Sequence, residues 1–347
     1  MKCLLCGINE ATRSNTHYLT DSIIRSALNV DGKNIRDTGL FWQFSTQKAG
    51  ARFGFQQATN IAKLEEVLGR QPTDEEIAHA VAETAFSVDN HFCPSCEVHF
   101  GEIERPFIET TLPKFRGADL TGISEIGVED VRISRAFFLL QVLRSALCDK
   151  AFNVSSGVLD DLKYLILNFQ DADVTQFTKY PLLVTYLQTT GGQTAYTENQ
   201  VGFVVYDIHR IILMNDFVVQ FFEKEPDVVL ADFNDLYDLS DFEHFLNIHE
   251  EIFLFKIFSN KQRQSFLFSG FKEFLDILVV YFREKYVSRF KQEPSRRIIG
   301  HFLATLSDQS LDMPLGIRYG DERLEVVANT ILDRVARETA KYRFWRR

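Results

Sequence analysis

Apolar positions recur at helical spacing along much of this chain. Ile61, Leu64, Val67 and Leu68 mark one face of a helix over residues 57–69 that stops at Gly69. After Arg70-Gln71-Pro72, Thr73 opens a second helix with Asp74, Glu75 and Glu76 in its first turn. Helix dipoles favour acids there, and Thr73 with Glu76 forms a capping box. The same period predicts helices over 130–150, 158–169, 242–258, 263–289, 295–306 and 322–342. After Pro181 the pattern changes. Segments 182–187, 201–207, 210–214 and 217–222 are rich in Val, Ile, Tyr and Phe, and Asn215-Asp216 sits where a hairpin turn belongs. They predict a small antiparallel meander between Pro181 and Glu223.

Pro106, Pro113 and the stretch from Gly117 to Gly127 loosen the pattern, which puts a domain boundary there. The expectation is an α+β protein with an N-terminal module over 1–116 and a mainly helical domain over 117–347. With 347 residues, 45% hydrophobic and 25% charged, the chain has the balance of a globular protein. Its 32 phenylalanines fall mostly at periodic positions, as a large core requires. Asp207, Arg210 and Asp216 interrupt the apolar run 201–222, so no membrane span is expected. The polar amino terminus lacks a secretory signal, which predicts a cytoplasmic location.

A net charge of −10 argues against indiscriminate nucleic-acid binding. The charge is uneven, however. From Arg283 to Arg347 there are 14 Lys/Arg against 9 Asp/Glu, including Arg296-Arg297 and the tail Lys341-Tyr342-Arg343-Phe344-Trp345-Arg346-Arg347. A basic tail interleaved with aromatics can contact phosphates or bases, and a solvated last helix accounts for the same residues. Residues 223–251 carry 10 Asp/Glu against one Lys. That run is either a solvated face or a docking surface for a protein partner.

Four of the five cysteines form two pairs, Cys3-x-x-Cys6 and Cys93-x-x-Cys96. A two-residue spacer lets both sulfurs of a pair reach one tetrahedral ion, so the two pairs together predict a shared structural Zn²⁺. The 86 residues between the pairs exceed what a compact knuckle needs, which implies a helical insertion over about 22–88. Cys148 ends a largely apolar segment and reads as a small buried hydrophobe.

The order Cys3-x-x-Cys6, Ser14-Asn15-Thr16-His17, Asp89-Asn90-His91, then Cys93-Pro94-Ser95-Cys96-Glu97-Val98-His99-Phe100 running on to Glu104 resembles zinc-stapled members of the HNH endonuclease superfamily. The resemblance covers roughly residues 1–110. It implies a treble-clef zinc fold in which residues from about 97 to 104 are the closing helix. It further implies His17 as the general base, Asn90 as the residue that fixes that base through the backbone, and Glu97, with His99 as a neighbouring substitute, as ligand to a catalytic Mg²⁺ or Mn²⁺. Family variants with this second motif occur in bacterial proteins that look like defence genes. Tyr18-Leu19-Thr20 replaces the family's Ile-Ile-Pro, and Thr16 stands where an acid or a second histidine often flanks the base.

Two functions are consistent with these residues. One is a divergent HNH-type metal-dependent nuclease acting on DNA or RNA, with a place in anti-phage defence. The other is a catalytically inactive zinc-stabilised scaffold that binds a partner in a defence or accessory complex. A DNA-binding finger would need a basic recognition helix, and 97–104 is acidic. Phosphate loops, dinucleotide fingerprints and nucleophile elbows are missing from the sequence.

Overall fold

A computed structural model describes residues 1–14, 16–24, 38–43, 50–55, 69–74, 76, 86–149, 152–188, 201–205, 209–224, 236–238, 242–307 and 322–344. The N-terminal part holds strand β1 (Thr16–His17), the short helix α1 (Asp21–Ile24), a hairpin of β2 (Thr38–Gln43) and β3 (Gly50–Phe55), strand β4 (Ser87–Val88) and helix α2 (Pro94–Pro106). β1 and β4 pair antiparallel, with Thr16 opposite Val88 and His17 opposite Ser87. The expected helix over 57–69 lies almost wholly outside the described residues. The capping box is present: Glu76 N–H donates to Thr73 Oγ1 at 3.2 Å and Thr73 N–H donates to Glu76 Oε2 at 2.9 Å. Arg70 adds a two-armed ion pair that, with the Thr73 N–H, lowers the Glu76 carboxyl to about 2.

α2 runs on through a π turn (Phe107–Thr111) and a 3₁₀ turn (Leu112–Lys114) into strand β5 (Glu125–Val128). The central helix α3 (Val131–Cys148) follows, its first turn capped by the Asp130 side chain accepting from Ile133 N–H. Residues 134–145 of α3 are all buried, as in a helix that is apolar nearly all round. Two further helices, α4 (Ser156–Leu167) and α5 (Val174–Phe177), lead to the sheet.

The sheet has six strands in the order β5-β10-β6-β9-β8-β7, with β6 (Leu182–Leu187), β7 (Val201–Val205), β8 (His209–Met214), β9 (Phe217–Phe222) and β10 (Phe253–Phe258). The meander of β7, β8, β9 and β6 is antiparallel, as the sequence pattern predicts. The sheet is larger than expected and mixed, because β10 pairs parallel to β6 and antiparallel to β5. The predicted helix over 242–258 is therefore corrected. A single 3₁₀ turn (Glu243–Phe245) precedes a strand in which Phe253, Phe255 and Ile257 are buried on one face at period two. Five apolar residues in six satisfy a helix or a strand alike, and only the place between β5 and β6 decides.

Alternate residues of the sheet serve different cores. Val184, Tyr186, Ile212, Phe217, Val219 and Phe255 face the layer that contains α3 and the N-terminal segment. Leu183, Leu187, Ile211, Leu213, Val218 and Phe222 face a second cluster with Leu236, Tyr237, Phe242, Phe245 and Phe266. The first cluster is continuous from Cys3 to Ile257, so buried residues on both sides of position 117 pack together. Beyond the sheet, α6 (Asn260–Phe290), α7 (Arg296–Ser307) and α8 (Glu322–Phe344) enclose a third cluster around Phe282, Phe302 and Ile331. Among the described residues no helix is long and apolar enough to cross a membrane.

Candidate metal centre

The first cysteine pair occupies a tight knuckle. Gly7 N–H donates to Cys3 O at 2.9 Å, and Cys3 N–H donates to Asn9 O at 2.9 Å. Gly7 adopts a φ of +66°, which a side chain would oppose, and this turns the chain back so that Cys3 and Cys6 face the same way. Leu4 N–H donates to His91 O at 2.9 Å, tying the knuckle to the residues just before the second pair. Cys93 is the N-cap of α2, Pro94 begins the helix where its missing N–H costs nothing, and Cys96 lies in the first turn.

This arrangement brings the four sulfurs of Cys3, Cys6, Cys93 and Cys96 within 4.8 Å of one another. Cys6 Sγ and Cys93 Sγ are 3.9 Å apart. A tetrahedral Zn²⁺ with Zn–S of ~2.3 Å requires an S···S edge of ~3.8 Å. The electrostatics also fit a cation. Burial opposes the Cys93 thiolate, yet the Ser95 hydroxyl, the Cys96 backbone and the Asn9 amide hold it at about 6. Burial pushes Cys3 up, and burial with the neighbouring sulfurs pushes Cys96 up strongly. Burial also opposes the Cys6 thiolate, but the backbone of Asn9 and Ile8 lowers its pKa, so Cys6 and Cys93 favour the thiolate while Cys3 and Cys96 resist it, a conflict that a shared divalent ion would remove. Among the described residues this is the one group of three or more His, Cys, Asp or Glu side chains placed to hold a metal.

The residues expected to carry chemistry are distributed differently. His17 is half-buried on β1, and its neighbour Thr16 is buried, with a hydroxyl that favours the Glu97 carboxylate. Adjacent strand residues point to opposite faces, so it is Thr16 that β1 presents to α2. Asn90 is exposed at a left-handed φ of +58°, a conformation asparagine tolerates well, and its N–H donates to Arg13 O at 2.6 Å. Glu97 and His99 are two positions apart on α2, roughly 200° around the helix. His99 Nε2 hydrogen-bonds with Ile166 O at 2.7 Å and Nδ1 with Glu102 Oε2 at 3.2 Å, and its ring meets the edge of Phe169. His99 therefore fastens α2 to the end of α4.

Glu97 belongs instead to a polar seam between α2 and α3. Burial raises its pKa, Arg144, Thr16 and Arg13 work against that rise, and Glu104 adds to it. Its Oε1 atom is buried with no hydrogen-bond partner among the described residues. One face of the helix carries both Glu97 and, seven residues on, Glu104, which receives Arg144 Nη1 at 2.7 Å and the Thr20 hydroxyl at 2.7 Å. Thr20 N–H donates to Gln141 Oε1 at 2.9 Å, and Arg144 also lies over the Phe100 ring, 5.0 Å from its centre. Cys148, half-buried beside this seam, is pushed up to about 12 by burial. Sequence reasoning missed Glu104, Arg144, Gln141 and Thr20. The available signal was a guanidinium inside the apolar run of α3, which demands a buried acid from another element.

Comparison with protein-family models, with characterised proteins and with solved structures returns no match to this chain. The geometry alone defines the class: an α+β chain with a tetracysteine centre able to hold a metal ion.

Proposed function

We propose that this chain is a zinc-stapled scaffold whose N-terminal module has an HNH-like strand-strand-helix frame without a catalytic cation. The observation that carries the reading is the seam at Glu97. Where the resemblance implies a divalent ion beside Glu97, the groups that favour its carboxylate are the Arg144 charge, itself paired with Glu104 at 2.7 Å, and the Thr16 hydroxyl. A neutral hydroxyl is a weak ligand for a hard cation, and a neighbouring guanidinium repels one. Zn²⁺ on the four cysteines then has a structural part. It fixes the knuckle to α2, and α2 is locked to α3 through Glu104 and Arg144.

The second reading is the nuclease, favoured by the order of β1, β4 and α2 and by His17 lying on β1. One assay separates the two. Purified protein is incubated with plasmid DNA and with RNA in Mg²⁺ or Mn²⁺, beside His17→Ala with its zinc content measured. The scaffold reading expects no cleavage above buffer. Cleavage lost in His17→Ala with zinc retained would overturn it in favour of the nuclease.

A further inference from the structure

The helices α6, α7 and α8 are arranged so that three separate stretches of basic sequence meet. α6 and α8 run in the same direction, because Lys285 pairs with Glu325 and Arg289 with Asp333 further along both helices. α7 returns antiparallel after a short connection, with Phe302 stacked on Phe282 at 4.3 Å. The end of α6, the start of α7 and the end of α8 therefore share one end of the bundle. That end presents Lys291, Arg296, Arg297 and Arg337, all exposed. His301, one turn after Arg297, accepts from Arg334 Nη1 at 3.1 Å, which joins the α7 and α8 faces into one surface.

The acids nearby are already committed. Glu293 takes both arms of Arg283, Asp333 pairs with Arg289, and Glu338 pairs with Arg334. Lys291, Arg296, Arg297 and Arg337 have no carboxylate partner among the described residues. Arg296 and Arg297 also stand in the first turn of α7, where the helix dipole disfavours cations, so this placement does nothing for the helix itself. An uncompensated cationic end on a chain of net charge −10 concentrates attraction for polyanions at one place.

We propose that this end of the three-helix bundle binds the phosphate backbone of nucleic acid. The recognition is electrostatic and independent of base sequence, and it does not depend on whether the zinc module cleaves. About four phosphate contacts would give a slope of log K against log salt near −3.6 on duplex DNA.

The test is fluorescence anisotropy of the full-length protein with a labelled 25-base-pair DNA duplex and a single-stranded oligonucleotide of the same length, between 50 and 300 mM salt. The Arg296→Glu/Arg297→Glu/Arg337→Glu variant is run alongside, with zinc content and circular dichroism confirming its fold. Expected is salt-dependent binding by the parent protein and at least a tenfold loss in the variant, with a slope shallower by about three. The milder Arg296→Gln/Arg297→Gln variant should fall between them. No binding to either probe at 50 mM salt, or equal binding by a folded triple variant, would overturn the proposal. So would capture by phosphatidylserine vesicles with neither nucleic acid bound, since the partner would then be a membrane surface.

Discussion

Single side chains carry much of what is unusual in this protein. Arg135, in the second turn of α3, is fully buried and donates to the carbonyls of Phe177, Tyr180 and Asn247, and burial lowers its pKa to about 9. It joins the end of α5, Tyr180 and Asn247 through one side chain. Arg135→Met should therefore cost about 3 kcal/mol in urea unfolding, because each orphaned buried carbonyl loses its partner. At the metal centre, elemental analysis should return one zinc per chain, and Cys93→Ser should lose most of it while the sheet keeps its circular dichroism signal. Glu97 gives a signed pH prediction. Its folded pKa is raised, so the native state binds the proton more tightly than the unfolded chain, and stability falls as pH rises through that window. Glu97→Gln removes the buried charge and should raise Tm at pH 7 by roughly 2–4 °C. The gain should shrink as pH falls and vanish below about pH 3, where the parent carboxyl is protonated in both states. A lower Tm in Glu97→Gln at pH 7, accompanied by loss of Mg²⁺ binding, would instead mark Glu97 as a ligand.

Elements are positioned by clamps on the turn between β8 and β9. Asn215 takes the left-handed conformation there, at φ +65°. Its carbonyl and side-chain oxygen receive the buried guanidinium of Arg263 from the first turn of α6, at 3.1 Å each. The other turn residue, Asp216, accepts Nε and Nη2 of Arg116 at 2.6 and 2.9 Å, and Arg116 also donates to Ser22 O and Ile23 O at the α1 end. One hairpin turn thus fixes the helix that leaves the sheet and the short helix near the metal module. Arg116→Leu strands a buried carboxylate and should cost about 3–5 kcal/mol. A double-mutant cycle with Asp216→Asn should recover a large part of that, and additivity of the two changes would refute the clamp. The turn itself was legible, since Asn-Asp between two apolar runs is hairpin chemistry. Its two arginines were not, because neither Arg116 nor Arg263 is near it in sequence.

At the scale of the molecule, the buried residues gather in three clusters. The metal module shares one continuous core with α3 and the sheet, whereas the cluster around Phe282, Phe302 and Ile331 is separate and is linked to the sheet through α6. Phe302→Ala should accordingly destabilise the three-helix bundle by about 3–5 kcal/mol. Hydrogen exchange should quicken in α7, α8 and the C-terminal half of α6, with protection in α3 and β9 unchanged. Equal acceleration in α3 would show that the clusters unfold as one unit. The acidic run 223–251 lies partly outside the described residues, but Leu236, Tyr237, Phe242 and Phe245 within it cover one face of the sheet. Its apolar residues, spaced irregularly between acids, are therefore core, which the charge count alone conceals.

Local chemistry made the metal centre, the Thr73 capping box, the long helices and the β7 to β9 meander readable, because each depends on residues close in sequence or on a spacing that one ion imposes. The two-residue spacers of the four cysteines were enough to announce a cluster able to hold one ion. The strand character of β10 was decided by pairing across the sheet, since Phe253 to Phe258 has no local feature that excludes a helix. Likewise the carboxylate of Glu97 was visible as a helix-start acid, but its burial against Thr16 and Arg144 arises only when α3, some 40 residues later in the chain, packs on α2. Sequence determined which groups could do chemistry; tertiary packing decided which of them meet, because burial and charge neutralisation depend on the partners that folding brings into contact.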